Sequence, residues 1–158
     1  MASSRDIIYA QPLDCYVEMV YDTKLRSVRF IKGVEGLKEV KISRASIELD
    51  QYFKGERTEF TCEMDISELS PFTWRVLNET GKIKFGETIT YSELAKRIGS
   101  RGYRAVGRAL AANPVPIVIP CHRVVGKRGT GGFSAGVDIK TRLLELEQKI
   151  SPITFNRS

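Results

Sequence analysis

The stretch Pro114-Val115-Pro116-Ile117-Val118-Ile119-Pro120 constrains the fold more than any other part of the chain. Its prolines remove backbone donors and fix φ, so neither a helix interior nor a central strand can run through it. The residues between them are Val and Ile, which belong inside a folded domain. The segment therefore reads as a rigid apolar connector. Any helix before it must stop by Asn113, because the residue preceding a proline disfavours helical geometry. Cys121 follows directly, and then His122, the only histidine in the chain. Such rigidity suits a side chain that has to be held in place.

Helical signals stand on both sides of this connector. Ser70-Pro71 places a capping residue before a proline at the first helical position, and Phe72, Val76 and Leu77 line a helix that ends near Gly81. Thr90-Tyr91-Ser92-Glu93 matches a capping box, with Leu94 and Ile98 as the apolar stripe and Gly99 as terminator. The short turn Ser100-Arg101-Gly102 leads into a helix from Tyr103 to Ala112. Helix, Gly-containing turn, helix is the pattern of a helix-turn-helix. A last helix from about Val137 to Lys149 has Ile139, Leu143, Leu144 and Leu146 as its apolar positions.

The first part of the chain has strand character. Ile7-Ile8-Tyr9, Tyr16 to Tyr21 and Arg26 to Ile31 are short and rich in β-branched and aromatic residues, and Asp22-Thr23-Lys24 suggests a hairpin turn. Ala45 to Phe53 has helical spacing, and Thr58 to Ile66 returns to a strand-like pattern. No cluster of chemistry-bearing residues stands out among residues 1–69. The expected class is α/β: a small N-terminal α/β scaffold domain over residues 1–69 and a mainly helical C-terminal domain over residues 70–158.

Composition removes several classes. With 42% apolar and 28% charged residues in 158, the chain is an ordinary globular sequence rather than a disordered, fibrous or disulfide-scaffold one. No apolar run approaches the roughly 18 residues of a membrane span, and the N-terminus lacks the pattern of a signal peptide. Three widely spaced cysteines (Cys15, Cys62, Cys121) favour free thiols in a reducing compartment, by default the cytoplasm, a nucleoid or a nucleus. The net charge of +6 is unevenly spread. Residues 1–69 hold 10 Lys and Arg against 13 Asp and Glu, whereas residues 70–158 hold 15 against 6. A basic half joined to a mildly acidic one points to a polyanion docking on one side.

Within the second half, Arg104 and Arg108 are four apart and share a helix face, surrounded by Ala105, Gly107, Ala109, Ala111 and Ala112. Small residues let the backbone approach a partner closely, and paired arginines suit phosphates. The plainer alternative is an Ala-rich helix packed tightly on a core. Beyond the connector, a nearby imidazole can take the Cys121 proton and hold the thiolate. Neighbouring residues of an extended segment point opposite ways, so a bridging water is expected between Cys121 and His122. An imidazole base needs an acceptor on its other nitrogen, and Glu145 and Glu147 are both available. The plainer alternatives are an inert buried thiol and a structural histidine. One His and three scattered Cys lack the spacing of a metal site.

Taken together, Arg104-Ala105-Val106-Gly107, Asn113-Pro114 and Pro120-Cys121-His122-Arg123-Val124 resemble the active-site signature of the O6-alkylguanine-DNA alkyltransferases, or methylated-DNA–protein-cysteine methyltransferases. The resemblance extends through Thr90-Tyr91-Ser92-Glu93-Leu94-Ala95 and Gly132-Phe133-Ser134 to Leu143-Leu144 and Glu147, covering roughly residues 70–149. It implies a ribonuclease H-like N-terminal domain and a helix-turn-helix that enters the minor groove of double-stranded DNA. The damaged guanine would be flipped into a pocket. Cys121 would take the alkyl group of O6-alkylguanine, with O4-alkylthymine as a further candidate substrate, irreversibly and once only. His122 would act through water as base, Glu147 would orient it, and Tyr91 would donate a hydrogen bond to the departing guanine. Asn113 would brace the active-site turn. Arg104 would fill the place of the flipped base, and the backbone at Val124 and Ser134 would read it. Tyr103, Ala105, Gly107, Arg108 and Arg123 would complete the DNA-contacting set. The resemblance implies no cofactor, no metal, no membrane association and a monomer.

This chain departs from the family pattern in two places: Phe133 stands where many members carry tyrosine, and Arg108 occupies a position often small. Cys15 and Cys62 match no functional position, which leaves them as buried thiols or an accessory disulfide. Two other classes compete. A helix-turn-helix regulator without chemistry would have no use for a Pro-Cys-His segment. A Cys–His hydrolase would leave the basic helices unexplained.

Overall fold

Residues 2–155 are described by a computed structural model. The chain divides into two compact units, Met1–Asp65 and Ile66–Ser158.

The first unit is built on β1 (Ser4–Ala10), β2 (Cys15–Tyr21) and β3 (Leu25–Ile31), an antiparallel sheet in that order. Its register runs from Ser4 opposite Tyr21 to Ala10 opposite Cys15, with an irregularity at Val20 and Tyr21 on the β3 side. Alternation buries Asp6, Ile8 and Ala10 of β1 together with Val17, Met19 and Val28. The expected turn at Asp22–Lys24 forms, with the Lys24 amide donating to Asp22 Oδ1 at 3.0 Å. Helix α1 (Arg44–Phe53) packs against β1 and buries Leu49, Tyr52 and Phe53. The buried Asp6 carboxylate fixes the start of α1, accepting from the Ile42 and Ser43 amides at 2.9 and 2.8 Å and from Ser46 Oγ at 2.6 Å.

Thr58 to Ile66 does not form the strand its pattern suggests. Only a single bridge pairs Leu25 with Met64. The amides of Thr61 and Cys62 donate instead to Glu48 Oε1, each at 2.9 Å. A buried carboxylate thus replaces a strand partner, and Arg57 pairs with it at 3.1 Å. Cys15 and Cys62 are buried and form no disulfide among the described residues.

The second unit contains α2 (Pro71–Thr80), β4 (Ile89–Thr90), α3 (Tyr91–Arg97), α4 (Tyr103–Ala111), β5 (Val124–Val125) and α5 (Val137–Phe155). The caps follow the sequence. Ser70 Oγ accepts from the Thr73 amide, and Thr90 Oγ1 accepts from the Glu93 amide. Gly99 takes φ +69 after α3, as a helix terminator requires. Helices α2, α3 and α4 pack on one another. β4 and β5 pair in parallel, Ile89 with Val124 and Thr90 with Val125, which sets the start of α3 beside the end of the Cys121 segment. Helix α5 continues past the expected Lys149 to Phe155. Among the described residues, no helix is long and apolar enough to cross a membrane.

Candidate active site

The proline-rich connector makes a tight, strained turn. Asn113 holds it from both sides: its Oδ1 accepts from the Val115 amide at 3.0 Å and its Nδ2 donates to the Ile119 carbonyl at 2.8 Å. Ile117 sits at φ +75, a left-handed conformation that a β-branched residue rarely adopts. Such a conformation costs on the order of 1–3 kcal/mol and persists only where its surroundings over-determine it. Here the prolines, the Asn113 bonds and the full burial of Val115 and Ile117 supply that constraint.

The turn delivers Cys121 and His122 into a single 3-10 turn, Cys121–Arg123, rather than the extended geometry anticipated from sequence. The reason lies in the backbone bonds: the Arg123 amide donates to Pro120 O at 3.0 Å and the Val124 amide to Cys121 O. Among the described residues His122 makes no hydrogen bond to Cys121, because its imidazole is turned to Glu147. His122 is fully buried, with Nε2 at 2.6 Å from Glu147 Oε2. A carboxylate can only accept, so Nε2 carries the proton and Nδ1 presents its lone pair. Nδ1 is buried and has no hydrogen-bond partner among the described residues. It is the basic atom of the site.

Glu147, not Glu145, is the acceptor: Glu147 is 1% exposed, while Glu145 faces outward. Its Oε1 also takes the Arg123 Nε at 2.8 Å and the Gly86 amide at 3.2 Å, and its Oε2 takes Arg123 Nη2 at 3.1 Å. Burial works against the charge of this carboxyl, but the bonds to His122 and Arg123 outweigh it and hold the pKa down at about 2. For His122 burial dominates and pushes the imidazole below its ordinary value, with Glu147 opposing. Arg123 shares the carboxylate's charge, so Glu147 orients the ring without forcing it to become imidazolium.

Arg123 therefore does not face DNA, as the resemblance implied. It is 5% exposed, with its remaining Nη1 on the Ile83 carbonyl at 2.7 Å. All three nitrogens of this buried guanidinium are engaged inside the unit, on a carboxylate and a carbonyl, so it is not presented to a phosphate and instead holds Glu147.

Cys121 lines a cavity of about 570 Å³. One wall is α4, through Tyr103, Arg104, Gly107, Leu110 and Ala111; the other is Gly132, Phe133 and Ser134, with Tyr91 beside the sulfur. Burial pushes the Cys121 thiol up, opposed by a hydrogen bond from the Asn113 side chain and by the charge of Lys140. The thiol is thus protonated at rest, and its thiolate, when formed, is a strong nucleophile. Tyr91 is also pushed up by burial, and its hydroxyl leans on the Gly132 carbonyl at 3.4 Å. Of the expected set, Cys121, His122, Asn113, Glu147 and Tyr91 converge on the cavity or on the pair behind it. Val124 is fully buried beneath it, with its carbonyl accepting from Lys140 Nζ at 2.7 Å. Arg108 is exposed and Ala105 half-buried on α4, both outside the cavity lining.

Residues 71–149 match the family described as 6-O-methylguanine DNA methyltransferase, DNA binding domain. A probable methylated-DNA–protein-cysteine methyltransferase of Acanthamoeba polyphaga mimivirus is 43% identical over 138 residues, 84% of this chain and 90% of that one. The chain belongs to this family. The methylated-DNA–protein-cysteine methyltransferase of Metallosphaera sedula is 48% identical over 99 residues, 63% of each chain, so this match spans less than two thirds of that relative. Among solved structures, the Mycobacterium tuberculosis O6-methylguanine methyltransferase aligns with a TM-score of 0.82 at 31% identity, over 98% of this chain and 99% of that one. The M. tuberculosis OGT in complex with DNA aligns with a TM-score of 0.81 at 33% identity, over 92% and 93%.

In this methyltransferase-family chain, sequence reasoning missed Lys140. Its Nζ is buried and donates to the Val124 and Gly132 carbonyls at 2.7 and 3.0 Å, and it lies 5.6 Å from the centre of the Tyr91 ring. Burial lowers its pKa to about 8, with Cys121 opposing. A signal was present: Lys140, Leu143 and Glu147 recur at helical spacing, so a lysine occupies the apolar face that also carries the glutamate.

Proposed function

We propose that this protein is a stoichiometric methylated-DNA–protein-cysteine S-methyltransferase that repairs alkylated guanine in double-stranded DNA. The carrying observation is that Cys121 opens into a cavity walled by a basic, small-residue helix while an oriented His–Glu pair stands behind it. Helices α3 and α4 act as a helix-turn-helix. Gly107 leaves the surface of α4 bare, since a Cβ there would meet nothing within 4 Å, and a DNA groove can approach it closely. Arg104 fills the gap left when the damaged guanine rotates into the cavity, and Tyr103 covers its rim. The Ser134 region and the Val124 backbone read the base, and Arg108 contacts the DNA backbone. The cost of extrusion is a few kcal/mol and is least for a weakened pair, which helps select the lesion.

In the chemical step a water passes the thiol proton to Nδ1 of His122, and the thiolate attacks the O6-alkyl carbon in line. The S–C bond forms, the C–O6 bond breaks, and its electron pair stays on the guanine. Tyr91 donates a hydrogen bond to the departing base, and the proton taken from the thiol returns from His122 through water to the guanine. The thioether has no route back to a thiol, so each molecule reacts once. No cofactor or metal takes part. The protein works as a monomer in the compartment that holds DNA. The antiparallel order β1–β2–β3 followed by α1 supports a reduced ribonuclease H-like scaffold for the first unit.

Intact mass and peptide mapping after mixing with an O6-methylguanine duplex test this reading. The expected result is one methyl group on Cys121, saturating at one equivalent and absent in Cys121→Ser. DNA binding without any mass gain would favour a non-catalytic DNA-binding protein. Repeated turnover of ester or amide substrates would favour a hydrolase.

A further inference from the structure

Residues 94–137 contain no Asp or Glu and eight Lys or Arg. Arg123 is spent on Glu147, and Arg97 pairs with Glu93 at 3.5 Å. Four of the others (Lys96, Arg101, Arg104 and Arg108) lie on α3, α4 and the turn between them. The remaining two, Lys127 and Arg128, stand apart on the connection from β5 to α5. Both are exposed, and neither has a hydrogen-bond or ion-pair partner among the described residues.

Their loop is cinched rather than loose. The single ammonium of Lys140 holds the carbonyls of Val124 and Gly132, one at each end of it. Gly131, at φ +75, presses so closely on Tyr91 that a Cβ there would lie 2.7 Å from the hydroxyl and 3.2 Å from the Gly126 amide nitrogen. The base of the loop continues into Gly132, Phe133 and Ser134, the cavity wall across from α4. Two unpaired cations are thereby displayed on a tethered loop whose far end runs directly into the cavity wall.

We propose that Lys127 and Arg128 form a phosphate clamp that grips the DNA strand carrying the extruded nucleotide. This rests on the repair reading above. A nucleotide rotated into the cavity drags its own flanking phosphates to the cavity rim, where they need a counter-charge. Helix α4 supplies one on its side of the rim, and the loop supplies the other. DNA is then held on both sides of the opening, and the Tyr91 face against which the loop rests stays closed while the base is bound.

The test is duplex binding by the full chain across a salt series, using a fluorescent undamaged duplex and the double variant Lys127→Ala/Arg128→Ala. Two lost phosphate contacts should reduce the slope of log affinity against log salt by about 1.8, so a fourfold rise in salt weakens the variant about 12-fold less than the parent. Methyl transfer from free O6-methylguanine base, which has no phosphates, should proceed at the parent rate. An unchanged slope overturns the clamp, as does an equal loss of slope in Lys82→Ala/Lys84→Ala, which removes the same charge elsewhere. A variant that loses reaction with the free base as well has a damaged site, and that too overturns it. Failure of the parent itself to take a methyl group from DNA would instead sink the repair reading, a result separable from any change in slope.

Discussion

Cys121 by itself is an unpromising nucleophile, because burial raises its pKa and no imidazole nitrogen touches it. What surrounds it decides the chemistry. His122 keeps its basic nitrogen bare because Glu147 has claimed the other one, and burial holds the ring neutral below its ordinary value of 6.5. Transfer should therefore stay constant as pH falls to 6.5 and decline only below it, measured as the single-turnover rate on a methylated duplex. A midpoint above that value would contradict an uncharged resting base. Glu147→Ala removes the partner of a buried cation as well as the orienter of the ring, a class of change that costs about 3–5 kcal/mol. Urea unfolding at neutral pH measures it. The sign of the pH dependence follows from the depressed carboxyl. Glu147 contributes its stability fully above its ordinary value of 4.5 and loses it as pH falls toward about 2. Tyr91→Phe should slow transfer while leaving duplex affinity intact; an unchanged rate would remove the hydroxyl from the mechanism. Arg104→Ala should weaken repair of duplex lesions more than reaction with the free base.

At the level of elements, α4 carries a glycine where its packing does not require one. A glycine inside a helix costs roughly 1 kcal/mol relative to alanine. Gly107 bears that cost although a Cβ would meet nothing within the protein. Gly107→Ala is thus expected to raise the melting temperature and lower DNA affinity together, with Gly107→Leu binding more weakly still; unaltered affinity in both would argue that α4 does not face DNA. The β5–α5 loop shows the opposite case. Gly131→Ala would be strained by its positive φ and would collide with Tyr91, so it should slow transfer without changing the salt slope of binding. Caps were the most legible elements. Ser70 and Thr90 act where their sequence neighbours place them, because capping depends on bonds within one turn. Thr58 to Ile66 was misread for the complementary reason. Its alternation is genuine, but whether an extended segment becomes a strand depends on what lies beside it, and there it met Glu48.

For the whole molecule, the uneven spread of charge sets the behaviour. The excess of cations in the second half should make undamaged-duplex binding strongly salt-dependent, since each neutralised phosphate adds about 0.9 to the slope. The sequence by itself determined where the helices start, where α3 stops, and the rigid connector that carries Cys121 and His122. These depend on proline, glycine and capping chemistry, which act over a few residues. The tertiary structure alone decided which glutamate faces the histidine, because Glu145 and Glu147 differ only in where α5 turns its faces. It also turned Arg123 inward: a guanidinium next to His122 reads equally well as a DNA contact until its distance to Glu147 is known. Lys140 stayed hidden because a lysine on an apolar face has meaning only once the carbonyls of Val124 and Gly132 are brought to it. Local bonds are written in neighbouring residues, whereas the partners of the buried charges described here lie far along the chain, 25 positions for His122–Glu147 and 40 for Asp6–Ser46, and only the folded chain brings them together.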